Sequence, residues 1–173
     1  MQNGDLRALV RTVPDYPKPG IVFRDITTLL LDGPGFALSI ERMAAGVERP
    51  DLVAGIEARG FIFGAALAVH LGCGLVLLRK KNKLPGRVTG INYALEYGQD
   101  RIEIHADAVT PGAKVLLVDD LIATGGTALA GVELLRSAGA EVTGASFAID
   151  LPDLGGAARL WNAGVPVSAL MAF

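Results

Sequence analysis

Two adjacent carboxylates, Asp119 and Asp120, followed closely by Ala123, Thr124, Gly125, Gly126 and Thr127, are the residues of this chain most clearly spaced for chemistry. The acids can accept hydrogen bonds from vicinal hydroxyls such as those of a ribose. The glycine pair lets the backbone turn tightly enough for several N–H groups to converge on one oxyanion, and Thr124 and Thr127 add hydroxyl donors. A helix opening near Ala128 would add its positive end. Acids at one end and an anion cradle at the other suit a phosphorylated sugar. The pattern is not a P-loop, because no Gly-Lys-Ser/Thr follows. It is not a dinucleotide fingerprint either, since the acids precede the glycines. The plainer alternative is a strand–turn–helix with two acids capping the helix, but adjacent acids against a buried strand are costly without donor partners.

Cations that could face such a ligand lie in two places. Arg79, Lys80, Lys81, Lys83 and Arg87 follow the apolar run at 75–78. A polyanionic ligand at that edge would need several cations, and Arg79 and Lys83 fit that need. Lys80 and Lys81 read more simply as solvated loop residues. Arg59, in Gly55-Ile-Glu-Ala-Arg-Gly-Phe61, sits among small residues after another apolar run. It either aims at an anion or faces solvent. His70 and His105 have no metal-ligand spacing, and no Ser or Cys sits in a nucleophile elbow. Cys73, between Gly72 and Gly74, reads as a small core residue, and Trp161 and Phe173 as packing residues.

The elements that must position these groups alternate along the chain. Apolar runs at 52–56, 75–78, 115–118, 142–149 and 165–171 read as strands, most of them buried on both faces. Between them, 63–70 reads as a helix, and Leu129, Val132 and Leu135 recur at helical spacing, as do Phe36, Ile40, Met43 and Val47 earlier. The alternation predicts one α/β domain over 1–173, a mainly parallel twisted sheet with helices on both faces. The acids then fall at the carboxyl end of a strand, where such sheets bind ligands, and are expected to be exposed there. Two segments break the pattern. Residues 14–25 hold three prolines and a glycine; residues 79–105 form a polar insertion whose second half alternates like a hairpin around 98–100.

Composition narrows the partners. The formal charge of −2 leaves no footprint for nucleic acid. One cysteine excludes an internal disulfide and favours a reducing cytoplasm. No apolar stretch reaches about 18 residues, so no membrane association is expected. Gly 22 against roughly 12 expected from average usage points to tight turns and close backbone approaches.

Together with Tyr16-Pro-Lys-Pro-Gly-Ile-Val-Phe-Arg-Asp-Ile26, Arg79-Lys-Lys-Asn-Lys-Leu-Pro-Gly86 and Tyr93-Ala-Leu-Glu-Tyr-Gly98, these segments resemble the purine-salvage branch of the type I phosphoribosyltransferase family. The resemblance runs from about Val13 to Met171. It implies that fold, with an N-terminal hood over about 1–35 and a lid over about 79–105. It also implies transfer of the phosphoribosyl group from phosphoribosyl pyrophosphate (PRPP) to N9 of adenine, giving AMP and pyrophosphate. Mg²⁺ would travel with PRPP rather than on protein ligands, and the protein would be a homodimer. On this resemblance Asp119 and Asp120 hold the ribose hydroxyls, and Ala123, Thr124, Gly125, Gly126 and Thr127 cradle the 5′-phosphate. Arg59, Arg79 and Lys83 stand on the pyrophosphate side. Val22 and Arg24 read the adenine edge through main-chain atoms, with Phe23 and Leu151 as walls of the base slot. Glu96 is the lid acid near N7 and Tyr97 its neighbour, although the alternation also allows Glu96 an outward place on the hairpin. A cis peptide between Glu57 and Ala58 is implied as well.

Overall fold

The structure is a computed structural model that describes residues 3–94 and 98–173. A short helix, α1 (Gly4–Arg7), leads into an antiparallel pair, β1 (Arg11–Pro14) and β2 (Val22–Asp25), with Arg11 opposite Asp25 and Pro14 opposite Val22. The link between them holds Pro17 and Pro19. It is drawn tight where the Gly20 N–H donates to Asp15 Oδ1 at 2.7 Å and the Tyr16 N–H to the Ile21 carbonyl at 3.2 Å. Helices α2 (Thr27–Leu31) and α3 (Gly33–Ala44) follow. Asp32 caps α3 by accepting from the Gly35 N–H at 2.7 Å, and Pro34 occupies the first turn, where no N–H is required.

The main body is β3 (Leu52–Ile56), α4 (Gly60–Leu71), β4 (Gly74–Lys80), β5 (Val88–Ala94), β6 (Gln99–His105), β7 (Lys114–Ile122), α5 (Gly126–Ser137), β8 (Glu141–Asp150), a 3₁₀ turn (Pro152–Leu154), α6 (Gly156–Asn162) and β9 (Val167–Ala172). Seven strands make one sheet in the order β5-β6-β4-β3-β7-β8-β9. Strands β4, β3, β7, β8 and β9 are mutually parallel, and β6 and β5 extend the β4 edge in antiparallel register.

The unbroken apolar run in β7 follows from burial on both faces. Val115 and Leu117 pack with Val132 and Leu135 of α5, while Leu116 and Val118 pack with Phe63 and Leu67 of α4 and with Ile40 and Met43 of α3. Helix α4 lies so close to β3 that a Cβ on Gly64 would come within 3.2 Å of the Gly55 Cα. Ring packing of Phe36 on Phe63, centroids 5.7 Å apart and nearly perpendicular, joins α3 to α4.

Two expectations are refined. The turn expected at 98–100 is not there in full, because Gln99 and Asp100 belong to β6 and pair with Ala94 and Tyr93. Arg79 and Lys80 close β4 and pair with Glu103 and Ile102, so much of the 79–105 insertion is sheet. Glu103, 4% exposed, is satisfied there by Arg101 Nε at 2.8 Å and the Asn82 N–H at 3.0 Å. Among the described residues, no helix is long and apolar enough to cross a membrane.

Candidate active site

Strand β7 is paired unequally on its two sides. Against β8 the ladder runs on to Ile122 opposite Asp150; against β3 it stops at Val118 opposite Gly55. Asp119 and Asp120 therefore lie inside β7 but beyond its junction with β3, where the sheet opens. This corrects the expectation of exposed acids at the strand's end. Asp120 is only 4% exposed.

The opening is a cavity of about 340 Å³. Its walls are Glu57, Ala58 and Arg59 after β3, Lys80 at the end of β4, the acid pair, and the loop from Ala123 to Thr127. The structure thus gathers Arg59, Asp119, Asp120, Ala123, Thr124, Gly125, Gly126 and Thr127 as the sequence predicts. The Glu57–Ala58 peptide is cis, as expected, and Tyr16–Pro17 is a second cis bond.

Burial pushes the Asp119 carboxyl well above the usual carboxylate range, and the neighbouring Asp120 adds to the shift. Asp120 is raised too, chiefly by burial, with Arg59 opposing. Arg59 Nε stands 3.0 Å from Asp120 Oδ2, an ion pair whose alignment does not amount to a hydrogen bond. The Asp120 N–H donates to Asp119 Oδ1 at 2.8 Å. Two acids held beside one cation form a site that favours hydroxyl donors or a further positive charge. Gly60, the first residue of α4, permits the arrangement, since a Cβ there would fall 2.6 Å from Asp119 Oδ1.

The loop beyond the acids has a backbone that could cradle an anion. Gly125 adopts φ +77°, which a side chain would resist, and its carbonyl accepts the Leu129 N–H at 2.9 Å as α5 begins. The first N–H groups of α5 face the cavity end of the loop with the helix's positive terminus behind them.

The cation that lines the cavity from β4 is Lys80. Its ammonium is hydrogen-bonded to Asp100 and, at 2.6 Å, to the Tyr93 hydroxyl, which in turn meets Thr127 Oγ1 at 3.4 Å. Burial pulls the Lys80 pKa down, but Asp100 and Tyr93 together raise it. Sequence reasoning assigned Lys80 to a solvated loop. The available signal was strand alternation: Leu78 is buried on the α5 side, so Lys80, two residues on, points the same way. Tyr93 and Asp100 give no comparable signal, because their meeting depends on the β5–β6 register.

Arg79 and Lys83 do not line the cavity. The Arg79 guanidinium is committed to Glu57, with Nη2 3.2 Å from Oε1, and it also donates to the Lys83 carbonyl at 3.1 Å. Burial raises Glu57, but Arg79 and the Lys80 N–H outweigh it and hold the carboxyl below its ordinary value. The Lys83 side chain is exposed.

Strand β2 approaches the cavity through Phe23, whose ring lies 5.4 Å from the guanidinium of the cavity-lining Arg59 and edge-on to Tyr16 at 5.2 Å. Val22 is 48% exposed. The Arg24 side chain turns away from the base slot: Nη1 donates to Thr12 Oγ1 at 2.6 Å, and the guanidinium covers the Phe173 ring at 4.5 Å, with Arg7 also stacked on that ring at 4.3 Å. Leu151 packs against the core, its N–H bound to the Ile122 carbonyl at 3.0 Å. Glu96 and Tyr97 lie outside the described residues.

A mostly parallel sheet with an acid pair inside its switch-point strand and a glycine–threonine loop opening the next helix defines a phosphoribosyltransferase domain. The model of the phosphoribosyl transferase domain matches residues 27–154. Adenine phosphoribosyltransferase of Sphingopyxis alaskensis is 59% identical over 171 residues, covering 98% of this chain and 93% of that protein. The crystal structure of adenine phosphoribosyltransferase from Rhodothermus marinus superposes with TM-score 0.91 at 47% identity, covering 98% of this chain and 97% of that one. The Saccharomyces cerevisiae enzyme, complexed with an imino-altritol bisphosphate and adenine, gives TM-score 0.86 at 36% identity over 96% of this chain and 97% of that one. The chain belongs to the adenine phosphoribosyltransferase family.

Proposed function

We propose that this protein transfers the 5-phosphoribosyl group of PRPP to N9 of adenine, giving AMP and pyrophosphate in purine salvage. The observation that carries the reading is the single cavity that joins Asp119–Asp120, the Ala123–Thr127 cradle and Arg59 beneath Phe23. Sugar and phosphate have chemically matched surroundings within it, and the base-slot residues adjoin it through the contact of Phe23 with Arg59.

In this reading the acids accept from the ribose hydroxyls, and the cradle takes the 5′-phosphate. Arg59 and Lys80 face the pyrophosphate side, and Lys83 serves it from the adjoining loop, while Arg79 steadies Glu57. The main chain of Val22 and Arg24 offers a carbonyl and an N–H two residues apart, matching adenine's amino donor and ring-nitrogen acceptor. Hypoxanthine and guanine reverse that pattern and leave buried groups unpaired, at about 1–3 kcal/mol each. Phe23 and Leu151 flank the ring. As pyrophosphate leaves C1, the sugar takes on oxocarbenium character and N9 attacks from the opposite face with inversion. The protein's part is positioning and electrostatic stabilisation. Glu96 retains its proposed place as the acid near N7, with Tyr97 beside it.

Among the described residues, no three His, Cys, Asp or Glu come together as a metal cage. An ion brought in on PRPP needs no such cage, since Mg²⁺ keeps several waters and is held through substrate phosphates, with Asp119 and Asp120 left to the ribose hydroxyls. Bound there, Mg²⁺ would neutralise charge on the departing pyrophosphate.

A homodimer is supported by an uncovered apolar face. Ile62 and Val69, seven residues apart on α4, are 39% and 84% exposed, and Leu75 and Leu77 on β4 are 36% and 37% exposed. Leu75 packs beside Gly64, which makes the two patches adjoin. Sedimentation should show a dimer that Val69→Glu shifts toward monomer. A cytoplasmic location accords with the chain's single free cysteine.

The activity is tested by incubation with Mg²⁺, PRPP and, separately, adenine, hypoxanthine and guanine, with the nucleotide identified chromatographically. AMP formation with adenine alone is expected. Preference for either other base would overturn the assignment.

A further inference from the structure

We propose that Arg159, an exposed residue of α6 that does not line the cavity, is a positioning residue for the phosphate cradle, acting with Gly156. The proposal rests on assigning the Ala123–Thr127 loop to the 5′-phosphate of PRPP. Two carbonyls of that loop are held from the side of α6. The Gly156 N–H donates to the Ala123 carbonyl at 3.0 Å, and Arg159 Nη1 donates to the Thr124 carbonyl at 3.1 Å. In a trans peptide the C=O and N–H point in opposite directions. Anchoring these two carbonyls on the α6 side therefore turns the N–H groups of Thr124 and Gly125 to the other side. Both residues line the cavity, and among the described residues neither N–H donates to a protein acceptor.

The fit between loop and helix leaves little freedom. A Cβ on Gly156 would fall 2.3 Å from the Ala123 carbonyl oxygen and 2.8 Å from the Gly125 nitrogen, while one on Gly125 would fall 2.9 Å from the Gly156 carbonyl oxygen. The backbones meet directly, so the position of α6 sets the position of the cradle. The Arg159 guanidinium also adds positive charge behind two amides that an anion would face, and a lysine could supply that charge without the planar fork.

The test compares Arg159→Ala and Arg159→Lys with the unsubstituted enzyme, using calorimetric binding of AMP and of adenosine together with PRPP kinetics. Arg159→Ala should weaken AMP about tenfold, the cost of misaligned hydrogen bonds to a charged group, and change adenosine by no more than about twofold. KM for PRPP should rise by a similar factor with kcat nearly unchanged. Arg159→Lys should recover part of the loss. Because Arg159 is exposed, the fold should survive; should Arg159→Ala nonetheless unfold, Arg159→Gln carries the same comparison. Unchanged AMP and PRPP constants, or equal losses for AMP and adenosine, would overturn the inference. If the unsubstituted enzyme forms no AMP from PRPP and adenine, it is the functional assignment that fails. If it does and Arg159→Ala matches it, only the role of Arg159 fails.

Discussion

Replacing Gly60 with Ala sets helix propensity against packing, and the two predict opposite signs. On propensity the change favours α4 by about 1 kcal/mol, because glycine is the poorer helix former. Packing opposes it. A Cβ at this position would lie 2.6 Å from Asp119 Oδ1, 3.0 Å from the Val118 carbonyl oxygen and 3.1 Å from the Asp119 Cα, all inside the 3.4 Å at which ordinary contact begins. Two of the three atoms are backbone of a central strand. The third is held by the Asp120 N–H at 2.8 Å and cannot swing aside without losing that bond. Overpacking of this kind costs about 1–3 kcal/mol, and contacts this close place it toward the upper end. After the propensity gain, a net loss of about 1–2 kcal/mol remains. For a domain of this size that lowers Tm by about 2–8 °C. Relief by displacement of the Asp119 carboxylate would also cost a hydrogen bond to the ribose, raising KM for PRPP about tenfold. Thermal denaturation without ligand and initial rates at saturating adenine measure the two effects. A variant as stable as the parent, with the same PRPP KM, would refute the claim that Gly60 is there to admit Asp119.

The acid pair should leave its mark on the pH dependence of stability. Both carboxyls are raised in the folded state, so folding binds protons and their cost is absent at low pH, growing as pH rises from the ordinary Asp value of about 3.9 through the raised folded values. The Asp119→Asn, Asp120→Asn double variant should therefore gain in Tm relative to the parent as pH increases across that window, while its use of PRPP collapses; a gap that does not widen would mean the acids are not strained. Phe173→Ala removes the ring between Arg7 and Arg24 and should loosen β2, raising KM for adenine several-fold while KM for PRPP holds. Phe173→Trp should keep the adenine KM near its original value, and a rise in the PRPP constant instead would assign Phe173 to general stability.

What could be read from the chain alone was whatever depends on neighbours in sequence. The run at 52–56 is apolar because β3 is buried on both faces, and the strand occupies those residues. The acid–glycine–threonine spacing lies in one stretch of backbone, so it was legible before the fold that these residues would share a site. The end of β7 was not. Carboxylates interrupt an apolar run and look like a terminus, yet the strand continues to Ile122 because β8 still pairs with it after β3 has stopped. Which side of a strand stays paired is a property of the other strands.

The assignment of cations shows the same division. Arg79, Lys80 and Lys83 share one short segment, and charge alone cannot rank them. Lys80 reaches the cavity through the two-residue alternation of β4, a local rule that could have been applied to Leu78 and extended. Arg79 is taken by Glu57, which arrives from a different strand connection, and no spacing along the chain announces that pair. The contacts of Arg59 with both Asp120 and Phe23 are likewise products of packing: one guanidinium stands between an acid from β7 and an aromatic ring from the hood. On the proposed reading, base slot and sugar site meet at a side chain whose partners lie more than thirty residues away on either side in the sequence. Sequence reasoning could nominate Arg59 for an anion; only the fold shows that it already has an acid and a ring to leave.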